Sequence, residues 1–372
     1  SDEAGGWSPH HPRHVLRIDP STGTLDPTAA ATTLGLGLLP LLPKLLEPPP
    51  PTCPAPVPGT IAGDCGVDAA GVARLKIHGG EEEGTAEDNE GMEAASTRLV
   101  QGLMAAVAAA AAHSCASPSR PMGVLFSGGV DSTGILALCL HAGVPCIAIT
   151  AAYTASSVEP ADVGPARAAA AALGVRLLVR EVATVAEATA ALARLMPAVR
   201  GMDVVKAGVA LTTYFAAEAA AGAECCAVLS GGGSEEILAG YARHAARPAD
   251  ASALGLSGLR SLHHRDLQRD HAAARLHGLA MHHPFLSSYV APFALALPGR
   301  LKLLPGGVEK RVLRIALEGP PLWVPRSLTR RPKCAAQYGS RFHVALQKVA
   351  KSLGLGTGRL AEAVALCGTL DP

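Results

Sequence analysis

Val124-Leu125-Phe126-Ser127-Gly128-Gly129-Val130-Asp131-Ser132 is the stretch on which the fold turns. Three apolar residues of buried-strand type run into a Ser-Gly-Gly turn, and a helical pattern follows over 131–141. A parallel α/β sheet binds its ligand at such a turn, just outside the carboxyl end of a strand. The paired glycines let backbone N–H groups approach an anion with no Cβ in the way. The following helix adds its N-terminal dipole. Ser127 and Ser132 offer hydroxyl donors to phosphate oxygens. Asp131 would repel a phosphate unless Mg²⁺ lay between them. A bare strand-to-helix turn with an N-cap explains less of this pattern, and the loop is not of the G-x-x-x-x-G-K-S/T type.

Outward from this stretch the same alternation repeats. Strands are expected at 124–126, 144–150, 175–179 and 227–229, and helices at 131–141, 161–173, 185–195 and 204–221. A further helix over 93–113 carries Leu99, Leu103 and Val107 at i, i+4 spacing. Strand–helix alternation of this kind implies a doubly wound parallel sheet. Beyond Ser261 the pattern reads as helices and loops, a helical C-terminal cap on the α/β unit. The fourth strand ends in a second glycine string, Ser230-Gly231-Gly232-Gly233-Ser234-Glu235-Glu236, so two glycine loops at neighbouring strand ends would line one cleft.

Composition bounds the rest. Lys+Arg is 32 against Asp+Glu 31, which argues against a nucleic-acid binder. Aromatics are 3% and alanine fills both faces of the helices, which blurs periodicity. Nine scattered cysteines without a CxxC pair suit a reduced, cytoplasmic compartment. The adjacent pairs His263-His264, His282-His283 and Cys225-Cys226 would point apart rather than chelate one ion. The apolar window at 34–46 is cut by Pro40 and Pro43 and carries Lys44, too broken to cross a bilayer, so no membrane association is expected. Residues 26–90 hold Pro-rich, Gly-rich and acidic runs that cannot offset their ordering entropy, and are expected to be a linker. The compact domain is expected over 91–372, with a short strand-like run in 1–25.

The first loop resembles the PP-motif of the N-type ATP pyrophosphatases, which cleave ATP between its α- and β-phosphates. The second string, through Gly240-Tyr241, resembles the S-G-x-G-x-D-E-x-x-x-G-Y stretch of asparagine synthetases. Three further blocks follow in that family's order: Arg265-Asp266 through His277-Gly278 to Pro284-Phe285-Leu286; Gly306-Gly307-Val308-Glu309-Lys310 to Arg314; and Arg331-Pro332-Lys333 through Gln337-Tyr338-Gly339-Ser340-Arg341. The last block, with Leu238-Ala239-Gly240-Tyr241-Ala242-Arg243-His244, is similar to the eukaryotic asparagine synthetase domain-containing proteins.

The resemblance implies an adenine nucleotide alpha hydrolase-like fold, ATP and Mg²⁺, aspartate, and ammonia or glutamine-derived ammonia. Ser127, Gly128, Gly129, Asp131, Ser132, Ser230, Gly231 and Tyr241 would take ATP and its pyrophosphate. Asp131 and Glu235 would hold Mg²⁺, Lys310 would contact pyrophosphate, and Asp203 would lie near the substrate. Trp7 and 15–21 resemble the closing strand of the family's glutaminase domain. That domain works through an N-terminal cysteine; Ser1 is not one and Cys53 lies in the Pro-rich spacer. No glutaminase activity is therefore expected of this chain alone, and such a part would come from upstream or in trans.

Departures matter as much. Aspartate becomes Glu235. An acid, an arginine and an aspartate of the family pattern become Ala280, His282 and Ser287. These losses bear on the acid substrate more than on ATP. Three readings stay open: an amide-forming ligase; a catalytically degenerate nucleotide-binding or interaction protein on the same fold; and another acyl-adenylating enzyme of the β-lactam synthetase type.

Overall fold

The computed structural model describes residues 86–155, 158–199, 201–303, 309–331 and 335–369. The expected strand in 1–25 and the linker up to residue 85 lie outside the described residues.

The chain runs α1 (Ala86–His113), β1 (Met122–Leu125), α2 (Val130–His141), β2 (Cys146–Tyr153), α3 (Val163–Ala172), β3 (Leu177–Val182), α4 (Val185–Ala198), α5 (Val204–Gly222) and β4 (Ala227–Leu229). It continues with α6 (Ser234–Ile237), α7 (Ala242–Ala245), α8 (Ala251–Leu262), α9 (Gln268–Arg275), β5 (Ala280–His282), α10 (Val290–Ala296), α11 (Gly299–Lys302) and α12 (Arg311–Glu318). Last come α13 (Arg326–Thr329), α14 (Ala336–Gly339), α15 (Phe342–Ser352) and α16 (Leu360–Cys367).

The five strands are all parallel, in the order β3-β2-β1-β4-β5. The order reverses between β1 and β4, which are paired with Val124 opposite Leu229. That is the topological switch point of an open α/β sheet. Strand side chains alternate between two cores, as a sheet covered on both faces requires. Val124, Ala148 and Leu229 join one core with α1, α2 and α12. Ile149, Tyr153 and Val228 join the other with α4, α5, α15 and α16. The C-terminal helices thus complete both layers, with α12 against α1 and α15 against α4 and α5.

Two differences from the sequence reading stand out. β5 was not expected, because the whole region after Ser261 was read as helices and loops. Three residues carrying a histidine are too short to show strand alternation, and pairing with β4 makes the strand. The other difference is α1, which begins at Ala86, inside the span assigned to the linker. Over Glu90–His113 this helix is long and apolar enough to cross a membrane. Half of its apolar window is buried, with Leu99 and Val107 fully enclosed in the core.

Candidate functional site

Both glycine loops leave adjacent strands at the switch point, and they touch. A Cβ on Gly231 would lie 2.9 Å from the Asp131 Cβ, so glycine there lets the second loop close onto the first. The first loop is braced internally. Ser127 N–H donates to Ser132 Oγ at 3.4 Å, and Ser132 Oγ donates to Gly129 O at 3.2 Å. Gly129 N–H donates to Ser127 Oγ at 3.3 Å, and Gly232 N–H to Ser230 Oγ at 3.2 Å. The Ser132 proton is thus committed to the loop rather than offered to a phosphate, while Ser127 keeps its own proton. Gly128 holds the left-handed backbone the turn requires, at φ +69°.

The acidic and basic residues of the site converge. Lys310 Nζ donates to Asp131 Oδ2 at 2.6 Å and to Glu235 Oε1 at 2.6 Å. The lysine side chain is 4% exposed and the carboxylates 21% and 18%. Burial alone would lower the lysine pKa, but the two carboxylates outweigh it and hold it above its ordinary value. Lys310 takes a left-handed conformation, φ 59°, at the N-cap of α12. A lysine adopts this backbone at a cost, of a kind found where a side chain must be aimed. The longer reach of Glu235 is accommodated at Gly240. A Cβ there would lie 2.2 Å from Glu235 Oε2 and 2.3 Å from Lys310 Cε.

Glu236, 2% exposed, points the other way. Its Oε1 accepts from Tyr241 Oη at 2.8 Å and from Arg265, and Arg243 lies over the Tyr241 ring at 4.0 Å. Burial, then the Glu236 charge, push the Tyr241 hydroxyl up and keep it a donor. Tyr241 therefore supports the second loop from behind. Arg265 reaches it from a π-helical turn, His263–Leu267, between α8 and α9.

Asp203 caps α5, its Oδ1 accepting from Lys206 N–H at 2.8 Å. Among the described residues its role is this cap at the start of α5, rather than a bond to Lys310. Where the family pattern is lost, His282 Nε2 pairs with Ser114 Oγ at 3.0 Å and Ser287 Oγ accepts from Val290 N–H at 3.2 Å. His283 packs against Gly232, whose added Cβ would lie 2.9 Å from His283 Nδ1, and burial pulls its pKa down to about 4.

The residues fit a divalent cation. Asp131 Oδ1 is buried with no hydrogen-bond partner among the described residues. A magnesium ion asks for one or two carboxylates and completes its shell with waters and substrate phosphates. The triad of Asp131, Glu235 and Lys310 sums to one negative charge, so a polyphosphate would need that cation to settle here. Sequence reasoning missed Gly240 as a steric requirement, although it stood in the quoted string. It also passed over Asp162, whose partner Arg331 lies 169 residues away.

A family model described as asparagine synthase matches residues 104–257 and 247–355, more than half of the chain. A Methanocaldococcus jannaschii protein assigned by name as a glutamine-hydrolyzing asparagine synthetase is 28% identical over 277 residues, 65% of this chain and 50% of that protein. The asparagine synthetase domain-containing protein 1 of Mus musculus is 40% identical over 126 residues, 31% of this chain and 19% of the other. The glutamine-hydrolyzing asparagine synthetase of Homo sapiens is 32% identical over 114 residues, 30% and 20% of the two chains. The chain thus spans half or less of the length of these relatives. With the family model spanning both glycine loops and Lys310 on a sheet of the expected kind, this chain belongs to the asparagine synthase family.

Proposed function

We propose that this chain is an ATP-dependent ligase that converts the side-chain carboxylate of aspartate to its amide, releasing AMP and pyrophosphate. The observation that carries the reading is Lys310, buried at the switch point and bonded at 2.6 Å to a carboxylate from each glycine loop.

The chain's residues divide the work as follows. The Gly128 N–H and the free first-turn amides of α2 face the β- and γ-phosphates as a helix N-terminus does. An aspartate carboxylate oxygen attacks the α-phosphorus, the bond to the bridging oxygen breaks, and pyrophosphate leaves with the electron pair. Lys310 is kept protonated by Asp131 and Glu235 and donates to the departing pyrophosphate, where charge develops. Asp131 and Glu235 would hold Mg²⁺, which would neutralise phosphate charge when bound. Ammonia then attacks the activated carbonyl carbon, AMP departs, and the ammonium proton passes to solvent. Ammonia would come free from solution or from a glutaminase part supplied upstream or in trans.

His282, Ser287 and Ala280 favour a second reading, a protein that binds nucleotide on this fold without making asparagine, because each has lost the family's charge on the acid side. One experiment separates the two. AMP and pyrophosphate are measured with ATP, Mg²⁺ and aspartate, using ammonium or glutamine, beside Mg-ATP titrations of wild type, Asp131→Ala and Gly129→Val. Aspartate-dependent AMP supports the ligase. Tight binding without AMP supports the second reading. Equal affinity in wild type and both variants refutes the loop as the ATP site.

A further inference from the structure

Arg331 opens the fifth sequence block and has no part in the chemistry above. Its Nη1 donates to Ser127 O at 2.5 Å, and its Nη2 donates to Asp162 Oδ1 at 2.8 Å and to Ala161 O at 3.3 Å. Asp162 is 4% exposed and is itself held from behind. Asp162 N–H donates to Gly339 O at 3.1 Å, and a Cβ on Gly339 would lie 2.0 Å from Asp162 Oδ2. Burial pushes the Asp162 carboxyl up, and the Arg331 charge offsets part of that rise.

The consequence falls on one peptide bond. The Ser127–Gly128 link is planar and trans, so its C=O and N–H point in opposite directions. Arg331 fixes the oxygen on one side and thereby presents the Gly128 N–H on the other. The neighbouring amides of the loop are occupied, Ser127 by Ser132 Oγ and Gly129 by Ser127 Oγ. The Gly128 N–H makes no hydrogen bond among the described residues. A glycine at positive φ can turn its peptide over at little steric cost. An anchored carbonyl removes that freedom, and a guanidinium on the oxygen polarises the same peptide's N–H into a better donor.

We infer that Arg331 is a positioning residue for pyrophosphate, holding the Gly128 N–H toward the β- and γ-phosphates through the Ser127 carbonyl. The inference rests on the reading of the 127–132 loop as the ATP phosphate site. Asp162 is the second member of the device, and the 335–341 segment that carries Gly339 is the third. The arrangement couples the C-terminal part of the chain to the first glycine loop through Asp162 and Arg331.

The test compares ATP, inorganic pyrophosphate and AMP, each titrated with Mg²⁺ into wild type, Arg331→Met, Arg331→Lys and Asp162→Asn, with thermal midpoints alongside. Arg331→Met should weaken ATP and pyrophosphate about tenfold, one hydrogen bond's worth of affinity, and leave AMP within about twofold. Arg331→Lys cannot span the three acceptors that the guanidinium bridges and should recover part of the loss. It carries the test if the methionine variant fails to fold. Asp162→Asn should move in the same direction by a smaller factor. Unchanged pyrophosphate affinity in Arg331→Met and Arg331→Lys overturns the inference while leaving the ATP site intact. An equal loss for AMP also overturns it, since a general collapse of the cleft would do that. A wild type that binds neither ATP nor pyrophosphate overturns the underlying reading and the inference with it.

Discussion

Gly240→Ala adds one methyl group where the structure has no room for it. The new Cβ would lie 2.2 Å from Glu235 Oε2 and 2.3 Å from Lys310 Cε. Ordinary contact begins near 3.4 Å, so each group must retreat by more than 1 Å. Both ion-pair distances are 2.6 Å, and a retreat of that size takes at least one of them out of hydrogen-bond range. Overpacking of a close site costs about 1–3 kcal/mol. A misplacement of about 1 Å in a catalytic group costs about 100-fold in rate. The control is Gly164→Ala in α3, where an added Cβ meets nothing within 4 Å. The assay is AMP formation together with the thermal midpoint. Gly240→Ala should lose about 100-fold in rate with a midpoint lowered by a few degrees, and Gly164→Ala should keep its rate. If Gly240→Ala makes AMP at the wild-type rate, the triad is not the catalytic arrangement.

Lys310→Met should be worse for activity than for folding, because it leaves two partly exposed carboxylates facing each other; AMP formation should vanish while the urea midpoint falls. Glu236→Gln should weaken the hold on Tyr241 and Arg265 behind the second loop, lowering the thermal midpoint while changing Mg-ATP affinity less than Asp131→Ala does. Burial pulls His283 and His244 from 6.5 to about 4 in the folded chain. The unfolded chain therefore takes up these protons first, so stability should be flat above pH 6.5 and fall as pH drops toward 4, by up to about 3 kcal/mol for each histidine. Urea midpoints at pH 7 and pH 5 measure this, and His283→Gln should flatten the slope.

The order and type of the elements from α2 to β4 were legible because apolar runs of strand length alternate with alanine-rich helices closed by Gly174 or opened by caps. The box between Thr184 and Glu187 at the start of α4 is a further signal of this kind, one that the sequence reading did not use. β5 was hidden because its partner β4 creates it, and no local pattern of three residues can show a long-range pairing. In the site, the family resemblance named Asp131, Glu235 and Lys310, and the structure brings these three together. It does not bring Asp203 to them, since an aspartate three residues before Lys206 has a sufficient use as a helix cap. Gly240, Asp162 and Arg331 act through contacts between distant segments, so their use became visible only with the fold.

The central claim is that the carboxylate oxygen of aspartate attacks the α-phosphorus of ATP at this site. Aspartate labelled with ¹⁸O in its side-chain carboxylate, incubated with the chain, Mg-ATP and ammonium, tests it directly by mass spectrometry of the AMP. The account predicts one ¹⁸O in the AMP phosphate and one retained in the asparagine amide. AMP formed without label, or ADP and phosphate in place of AMP and pyrophosphate, would contradict it.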